Sequence, residues 1–443
     1  MTMQSGMSTS YCTFDRRGVR TQVAKRKIAG NDAAGPAKEK KPEAEGDGHA
    51  VAERTRYDCG IVALTAPGID AEGLARMAAE EAEKCEAAFA FIFHSPSLFT
   101  SEAVEAAMRR HAPRLSHAGC TTAGEITPDG IGDGEALAIL LPAAHFTVRS
   151  ALIENISTSG MHTVAGEVER LIHELDDCGD GGPGRKRFAM CLIDGMSFAE
   201  EAVTAAIHWA LDDIPLVGGS AGDDLRWQKP MLFHNGAVRS DSAVILLVAT
   251  DLPFNIFKTD NFIPTDAKFV VTASDPDRRV VSEFNARPAA AEYADALGKD
   301  AHSLSQMTFA SSPVVVRVGG EYFCRAIRDA GADGSLAFAC AIDDGVVLTL
   351  AEARGMVEST RSALDDLDRR LDGIDMVLGF DCCYRRIDAA NRQIMRPMAE
   401  LYRKYNVVGF GTYGEQYQSM HLNQTLTGIA FGRQAAPRAE AAE

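Results

Sequence analysis

One short pattern occurs three times in the chain, and it limits the folds open to it more than any other feature. A hydroxyl residue, an Ala or Tyr, a Gly and an acid follow one another in Thr122-Ala123-Gly124-Glu125, Ser220-Ala221-Gly222-Asp223 and Thr412-Tyr413-Gly414-Glu415. Each copy follows a helical region, and each is followed, after a polar loop, by an apolar strand: ALAILL (136–141), SAVILLVA (242–249) and TLTGIAFG (425–432). Glycine permits positive φ and close backbone approach. The hydroxyl and the carboxylate can pair with nearby amides. Three copies imply duplicated units that share a turn. A turn capped by its own carboxylate needs no ligand, whereas one whose groups face a cavity would bind one; the sequence leaves both readings open.

Around the turns, helical and strand signals alternate. Residues 70–88, Ser101–His111, 162–175 and 198–211 read as helices, interleaved with the strands AFAFIFHS (88–95), 136–141, RFAMCLID (187–194) and 242–249. The segment 251–274 breaks this rhythm. Beyond it come a helix at 289–297, strands at 312–318, 335–342 and 345–353, a helix at 357–371, the strand DMVLGFDC (375–382) and a long helix at 389–405. The expected class is α/β: mixed sheets with flanking helices, in two related α/β domains over residues 56–270 and 271–433. Residues 1–55 and 434–443, rich in Ala, Gly, Pro, Lys and Glu without an apolar period, read as disordered tails.

Charge narrows the partners. The chain has 45 basic and 62 acidic residues, a net charge of −17. Residues 1–50 carry +3, so the remainder carries −20. Such a body repels phosphate backbones, which disfavours nucleic acid and leaves small molecules or basic protein surfaces. No apolar run approaches the ~18 residues of a membrane span, and the N-terminus lacks the apolar core of a secretory signal. Ten cysteines at irregular spacing, without a CxxC pair, fit reduced thiols and a cytoplasmic location.

Catalytic signatures are missing. There is no GxxxxGK[ST], GxSxG or HExxH. The GxGxxG match at Gly409–Gly414 precedes a polar loop and a strand, whereas dinucleotide sites open a helix there. Cys120 sits on a sharp turn without an assignable His partner. The expectation is a binding protein and not an enzyme.

Six segments in order, FIFHSPSLF (91–99), AGCTTAGEI (118–126), LVGGSAGDDL (216–225), MLFHNGAV with DSAVILLV (231–248), FDCCYRR (380–386) and GFGTYGEQ…HLNQTLTGIAF (409–431), resemble the FIST family of bacterial sensory proteins. The resemblance spans about residues 57–433 and implies a FIST N-type domain followed by a C-type domain. It implies intracellular sensing of small molecules such as amino acids. The FDCxxR form at 380–385 is similar to a branch of stand-alone members that bind haem, sense nitric oxide and regulate a partner histidine kinase. With no output region of its own, such a chain would signal through that partner, either alone or as a homo-oligomer.

That branch calls for an axial haem ligand, commonly His, Cys or Tyr. The first candidate is His234, between an apolar strand and an Asn-Gly turn, where it could share a pocket with Phe233 and Trp227; a surface His before a hairpin is the competing reading. His94, at the end of AFAFIFHS, and His421, in the last polar loop, are second choices. A polar ligand would instead favour Tyr413, Glu415, Asn423 and Thr425, together with Ser220 and Asp223, whose amide, hydroxyl and carboxylate groups could read an amino acid. A satisfied hairpin loop competes with this. Arg385 and Arg386 beside Cys382-Cys383 would favour thiolates for oxidation sensing or metal ligation, against the alternative of buried thiols.

Overall fold

The strands Ala87–His94, Lys186–Asp194 and Ile374–Cys382 are apolar almost from end to end, the pattern of strands covered on both faces. In the computed structural model, which describes residues 53–65, 68–178, 185–353 and 355–433, each of them is the centre of one copy of a repeated unit. The unit runs strand, helix, strand, helix, strand, turn, hairpin, strand. In the first copy Ala87–His94 lies parallel to His117–Thr121 and antiparallel to Ala136–Pro142, which pairs in turn with Val62–Thr65. In the second, Lys186–Asp194 pairs with Leu216–Ala221 and Ser242–Thr250, and Phe146–Glu154 closes the edge. In the third, Ile374–Cys382 pairs with Val407–Thr412 and Leu426–Gly432, with Phe254–Thr259 outside.

Alternation along the central strands explains why all three sheets share a core. Phe89, Phe91 and Phe93, Phe188, Met190 and Leu192, and Met376, Leu378 and Phe380 all enter one apolar cluster. The intervening residues point the other way and meet each unit's helices, as Ala90 and Ile92 do in the first unit, Ala189, Cys191 and Ile193 in the second and Val377 in the third. Each large side chain so buried stabilises the fold by roughly 1.5–3 kcal/mol before conformational entropy is counted.

The hairpins are exchanged around this core. The first unit's hairpin, Glu125–Thr127 with Gly130–Gly132, pairs with the third unit's Val407–Thr412. The second unit's, Leu232–His234 with Ala237–Arg239, pairs with the first unit's His117–Thr121. The third unit's, Glu415–Tyr417 with Met420–Leu422, pairs with the second unit's Leu216–Ala221. Every sheet is therefore completed by a neighbour, and the exchange closes on itself.

The third unit is interrupted after Phe254–Thr259 by a sheet of its own, built on the antiparallel strands Phe262–Asp275 and Val347–Ala353. Residue 270, where the sequence reading divides the chain, lies inside the first of these. The core of this sheet, with Phe269, Phe284, Tyr293 and Phe309, also takes in Ala123, Tyr413 and Tyr384, so the inserted sheet packs over the turns.

The mixed α/β class is as expected, and the relatedness between parts of the chain resolves into three copies of one unit. Some elements differ from expectation. The long helix expected over 389–405 is two, Cys383–Asn391 and Met395–Lys404, because Gln393 takes a left-handed conformation at φ 60°. Pro397 lies in the first turn of the second, where its missing N–H costs nothing. The strand expected over 335–342 is only Leu336–Phe338. The tails expected at 1–55 and 434–443 lie outside the described residues except for 53–55, which form part of the strand Glu53–Arg56 through pairing with Val62–Thr65.

Candidate functional site

Because each repeated turn follows the same strand in its unit and each hairpin crosses to a neighbour, the three turns meet. Backbone hydrogen bonds tie them into a ring. Ala123 N donates to Gly411 O at 2.8 Å, and Gly411 N to Gly124 O at 2.6 Å. Gly222 N donates to Thr121 O at 3.1 Å, and Asp224 N to Thr122 O at 2.9 Å. Ser220 N donates to Gly414 O at 2.7 Å, and Tyr413 N to Ser220 O at 3.1 Å.

The acids of the turns serve this ring. In the first and third units the hydroxyl donates to the acid three residues on, Thr122 to Glu125 and Thr412 to Glu415. The same carboxyls reach ten residues ahead to the start of the final strand: Glu135 N donates to Glu125 at 2.9 Å, and the Thr425 hydroxyl donates to Glu415 at 2.7 Å. Burial pushes Glu125 up to about 7 and Glu415 well above the usual carboxylate range. The second unit departs from this scheme. Asp223 accepts the N–H groups of Trp227, Gln228 and Lys229, each at 2.8 Å, and the Tyr413 hydroxyl.

Tyr413, Glu415, Thr425, Ser220 and Asp223 are thus brought together, but as buried ties within the ring. The Ser220 hydroxyl accepts from Gln416 Nε2 at 2.9 Å. Asn423 is buried as well, and its side-chain oxygen accepts from Ala326 N of the inserted sheet at 3.4 Å.

Beside the ring lies a hollow of about 320 Å³ lined by Ser97, Ala123, Asp133, Asp224, Cys383 and Arg386, among others. Arg386 enters it from the first turn of the helix Cys383–Asn391. Its Nη1 donates to Gly132 O at 2.7 Å and its other terminal nitrogen pairs with Asp133. Asp133 is 82% exposed, and a pair so open to water is worth at most about 1 kcal/mol. On the opposite side Asp224 accepts from the Ser95 hydroxyl at 2.8 Å, and Ser95 Oγ lies 2.6 Å from Ser97 Oγ. The hollow therefore offers a guanidinium, carboxylates and a hydroxyl next to the ring. Neither Asp224 nor Arg386 stands out as a ligand group in the sequence, whose only signals are the doubled acid Asp223-Asp224 and the pair Arg385-Arg386.

The two arginines are committed to other partners. Arg385 is fully buried and donates to Asp381 at 2.6 Å and to the Thr360 hydroxyl at 3.0 Å, while Arg386 turns to the first unit. Cys382 and Cys383 are buried free thiols, and burial pushes the Cys382 thiol far above its ordinary value. Among the described residues no three His, Cys, Asp or Glu side chains are placed to hold a metal ion.

None of the candidate haem ligands lines this hollow. His94 is fully buried, with Nδ1 3.1 Å from Ser95 O and Nε2 3.1 Å from the Ser101 hydroxyl, between Phe99 and Phe233. Burial brings its imidazole down to about 4. His234 Nε2 lies 2.9 Å from the Ser150 hydroxyl, and burial, helped by the charge of His117, brings it to about 4. The pocket expected for His234 with Phe233 and Trp227 does not form: Phe233 packs into the first unit's helix-side core, and Trp227 stacks on Tyr413 with ring centroids 3.9 Å apart. His421 is buried between the side-chain amides of Gln416 (3.3 Å) and Asn423 (3.4 Å). His94 and His421 thus have both ring nitrogens engaged and do not fit the role of an axial ligand in this conformation, whereas His234 is engaged through Nε2 alone; none of the three lines the hollow by the turns.

Residues 88–287 match the FIST N domain and residues 289–418 the FIST C domain. An uncharacterized protein of Methanocaldococcus jannaschii is 24% identical over 254 residues, which cover 49% of each chain. The chain thus spans about half the length of that curated relative.

Proposed function

Because this chain belongs to the FIST family of sensory, ligand-binding domains, we infer that it senses a small polar molecule bearing both an acid and an amino group, held in the hollow beside the three-turn ring. The observation that carries this reading is the lining of that hollow by Arg386 and Asp224 together. The ligand's carboxylate would replace exposed Asp133 on Arg386, gaining a bidentate pair, and its ammonium would meet Asp224. Amino acids have this chemistry. Since Arg386 belongs to the third unit, Asp224 to the second and Asp133 to the first, occupancy changes a contact between units. Such a differential contact is what a ligand needs in order to shift an equilibrium between two states.

On this reading the chain is a binding protein and not an enzyme, and its output passes to a partner protein, with a histidine kinase as the specific proposal. Cytoplasm is the proposed compartment, supported by the free state of the nine cysteines among the described residues. Among those residues no helix is long and apolar enough to cross a membrane. The test is calorimetric titration of the full chain with a panel of amino acids. One or more should bind, and Arg386→Ala and Asp224→Asn should each weaken binding by at least tenfold, about 1.4 kcal/mol. A panel without heat, or variants that bind as the parent does, would overturn the reading.

The haem-binding, nitric-oxide-sensing role is the alternative, supported by the FDCxxR form at 380–385 and ranked second because His94 and His421 have both ring nitrogens engaged and His234 does not line the hollow by the turns. Protein produced with ample haem and showing a Soret band that His234→Ala, His94→Ala or His421→Ala abolishes would reverse that order.

A further inference from the structure

At the far end of the first unit's sheet, away from the ring, the strand His117–Thr121 begins beside the helix Ser101–His111 and the Asn235-Gly236 hairpin turn. A second hollow, about 370 Å³, opens there, with Glu105, Arg109, Arg114, His117 and Asn235 in its wall. Glu105 is 2% exposed. One of its carboxylate oxygens lies 3.1 Å from His117 Nε2, while the other, Oε1, is buried without a hydrogen-bond partner. A buried carboxylate oxygen left unpaired is costly, so it marks a place where a donor is missing.

The His117 ring meets acceptors on both sides, since Nδ1 lies 2.9 Å from Leu115 O. Both nitrogens of the ring are thus placed to donate. Burial alone would lower its pKa, but the bond to Glu105 raises it above the ordinary value. One Glu105 oxygen thus already has the imidazole as its partner, and the free one calls for a further donor such as a hydroxyl.

Arg109 and Arg114 are exposed and make no ion pair or hydrogen bond among the described residues. Two arginines and a histidine thus face one carboxylate, in a body that is otherwise strongly acidic. We propose that this hollow is a second ligand site, for a small hydroxylated anion whose hydroxyl donates to Glu105 Oε1 and whose phosphate or carboxylate lies against Arg109 and Arg114. It shares no residue with the hollow beside the turns, so a second ligand could be read independently of the first.

Titration calorimetry on the full chain tests this with glycerol 3-phosphate and glycerate, and with propyl phosphate and propionate as partners that lack the hydroxyls. At least one hydroxylated probe should bind tenfold or more tighter than its deoxy counterpart, and the stronger of the two identifies the anionic group. The surface double variant Arg109→Ala/Arg114→Ala, checked for native circular dichroism, should lose tenfold or more. Arg386→Ala should leave binding unchanged. Glu105→Ala should erase the preference for the hydroxyl; where that variant fails to fold, the comparison of hydroxylated and deoxy probes on the parent chain decides. Absence of binding by both hydroxylated probes, equal affinity for both members of each pair, an unaffected double variant, or loss of binding in Arg386→Ala would overturn the proposal.

Discussion

The Tyr413 hydroxyl donates to the Asp223 carboxylate across 190 residues of chain, so the third turn is bonded to the second through the acid that also gathers three backbone N–H groups. Tyr413 additionally stacks on Trp227. Tyr413→Phe removes the donor and keeps the ring. It should cost about 1.5–3 kcal/mol in urea unfolding, the range for one hydrogen bond to a charged group. The only other tryptophan, Trp209, is 68% exposed, so a Trp209→Phe background leaves Trp227 as the sole tryptophan reporter. Its emission maximum should not shift in Tyr413→Phe, because the stacked pair persists.

Gly124 is held at φ +112° with the Arg386 guanidinium in the space a Cβ would occupy. Gly124→Ala therefore meets two penalties, backbone strain and displacement of Arg386. We expect a loss of about 2–3 kcal/mol in the parent chain. In an Arg386→Ala background the steric part disappears and the strain remains. The double-mutant cycle should show a favourable coupling of about 0.5 kcal/mol or more; strict additivity would mean that the guanidinium is not lodged against this turn.

These two positions show what the sequence could and could not convey. The repeat of hydroxyl, Gly and acid was legible because a tight turn constrains residue type locally. The apolar run of Ala87–His94 was legible because burial on both faces leaves no polar alternate. The exchange of hairpins was not, since a hairpin such as Glu415–Tyr417 with Met420–Leu422 has the same local pattern whichever strand it joins. The roles of Arg386 and Asp224 depend on that exchange, because it brings residues from separate units to one hollow. The polar residues of the hairpin loop, Glu415 and Thr425 among them, looked equally suited to a ligand and to each other. Only their burial shows that they are bonded within the ring. Likewise the sequence placed His94 correctly at a strand end, but could not show that Ser101 and the Ser95 carbonyl occupy its ring nitrogens.

Glu125 gives a pH dependence of definite sign. Its carboxyl is raised from 4.5 to about 7, chiefly by burial, so the native state binds a proton more tightly than the unfolded chain does. The contribution of this group is fully present below about pH 4.5 and is lost as pH rises through about 7. Glu125→Gln mimics the protonated form: its amide nitrogen can donate to Thr122 while its oxygen accepts from Glu135 N. The variant should match the parent near pH 5 and exceed it at pH 8 by on the order of 1–3 kcal/mol. Urea midpoints at the two pH values check this, and a variant no more stable than the parent at pH 8 would contradict the raised value.

The exchanged hairpins also make a prediction about cooperativity. Cutting the chain between the two family domains, after residue 287, leaves the first unit's hairpin without Val407–Thr412 and the second unit's Leu216–Ala221 without Glu415–Tyr417. It also strips Met376, Leu378 and Phe380 from the shared core. A fragment of residues 53–287 would then expose the inner faces of two sheets and two unpaired strand edges, an arrangement prone to association. The whole chain should unfold in urea in one transition, seen alike by circular dichroism and by Trp227 emission, because no unit can lose its strands without opening its neighbours. The fragment should bind a hydrophobic dye or aggregate. A soluble fragment with a cooperative transition of its own would show that the first two units are self-sufficient and that the third unit's hairpin and core residues are dispensable to them.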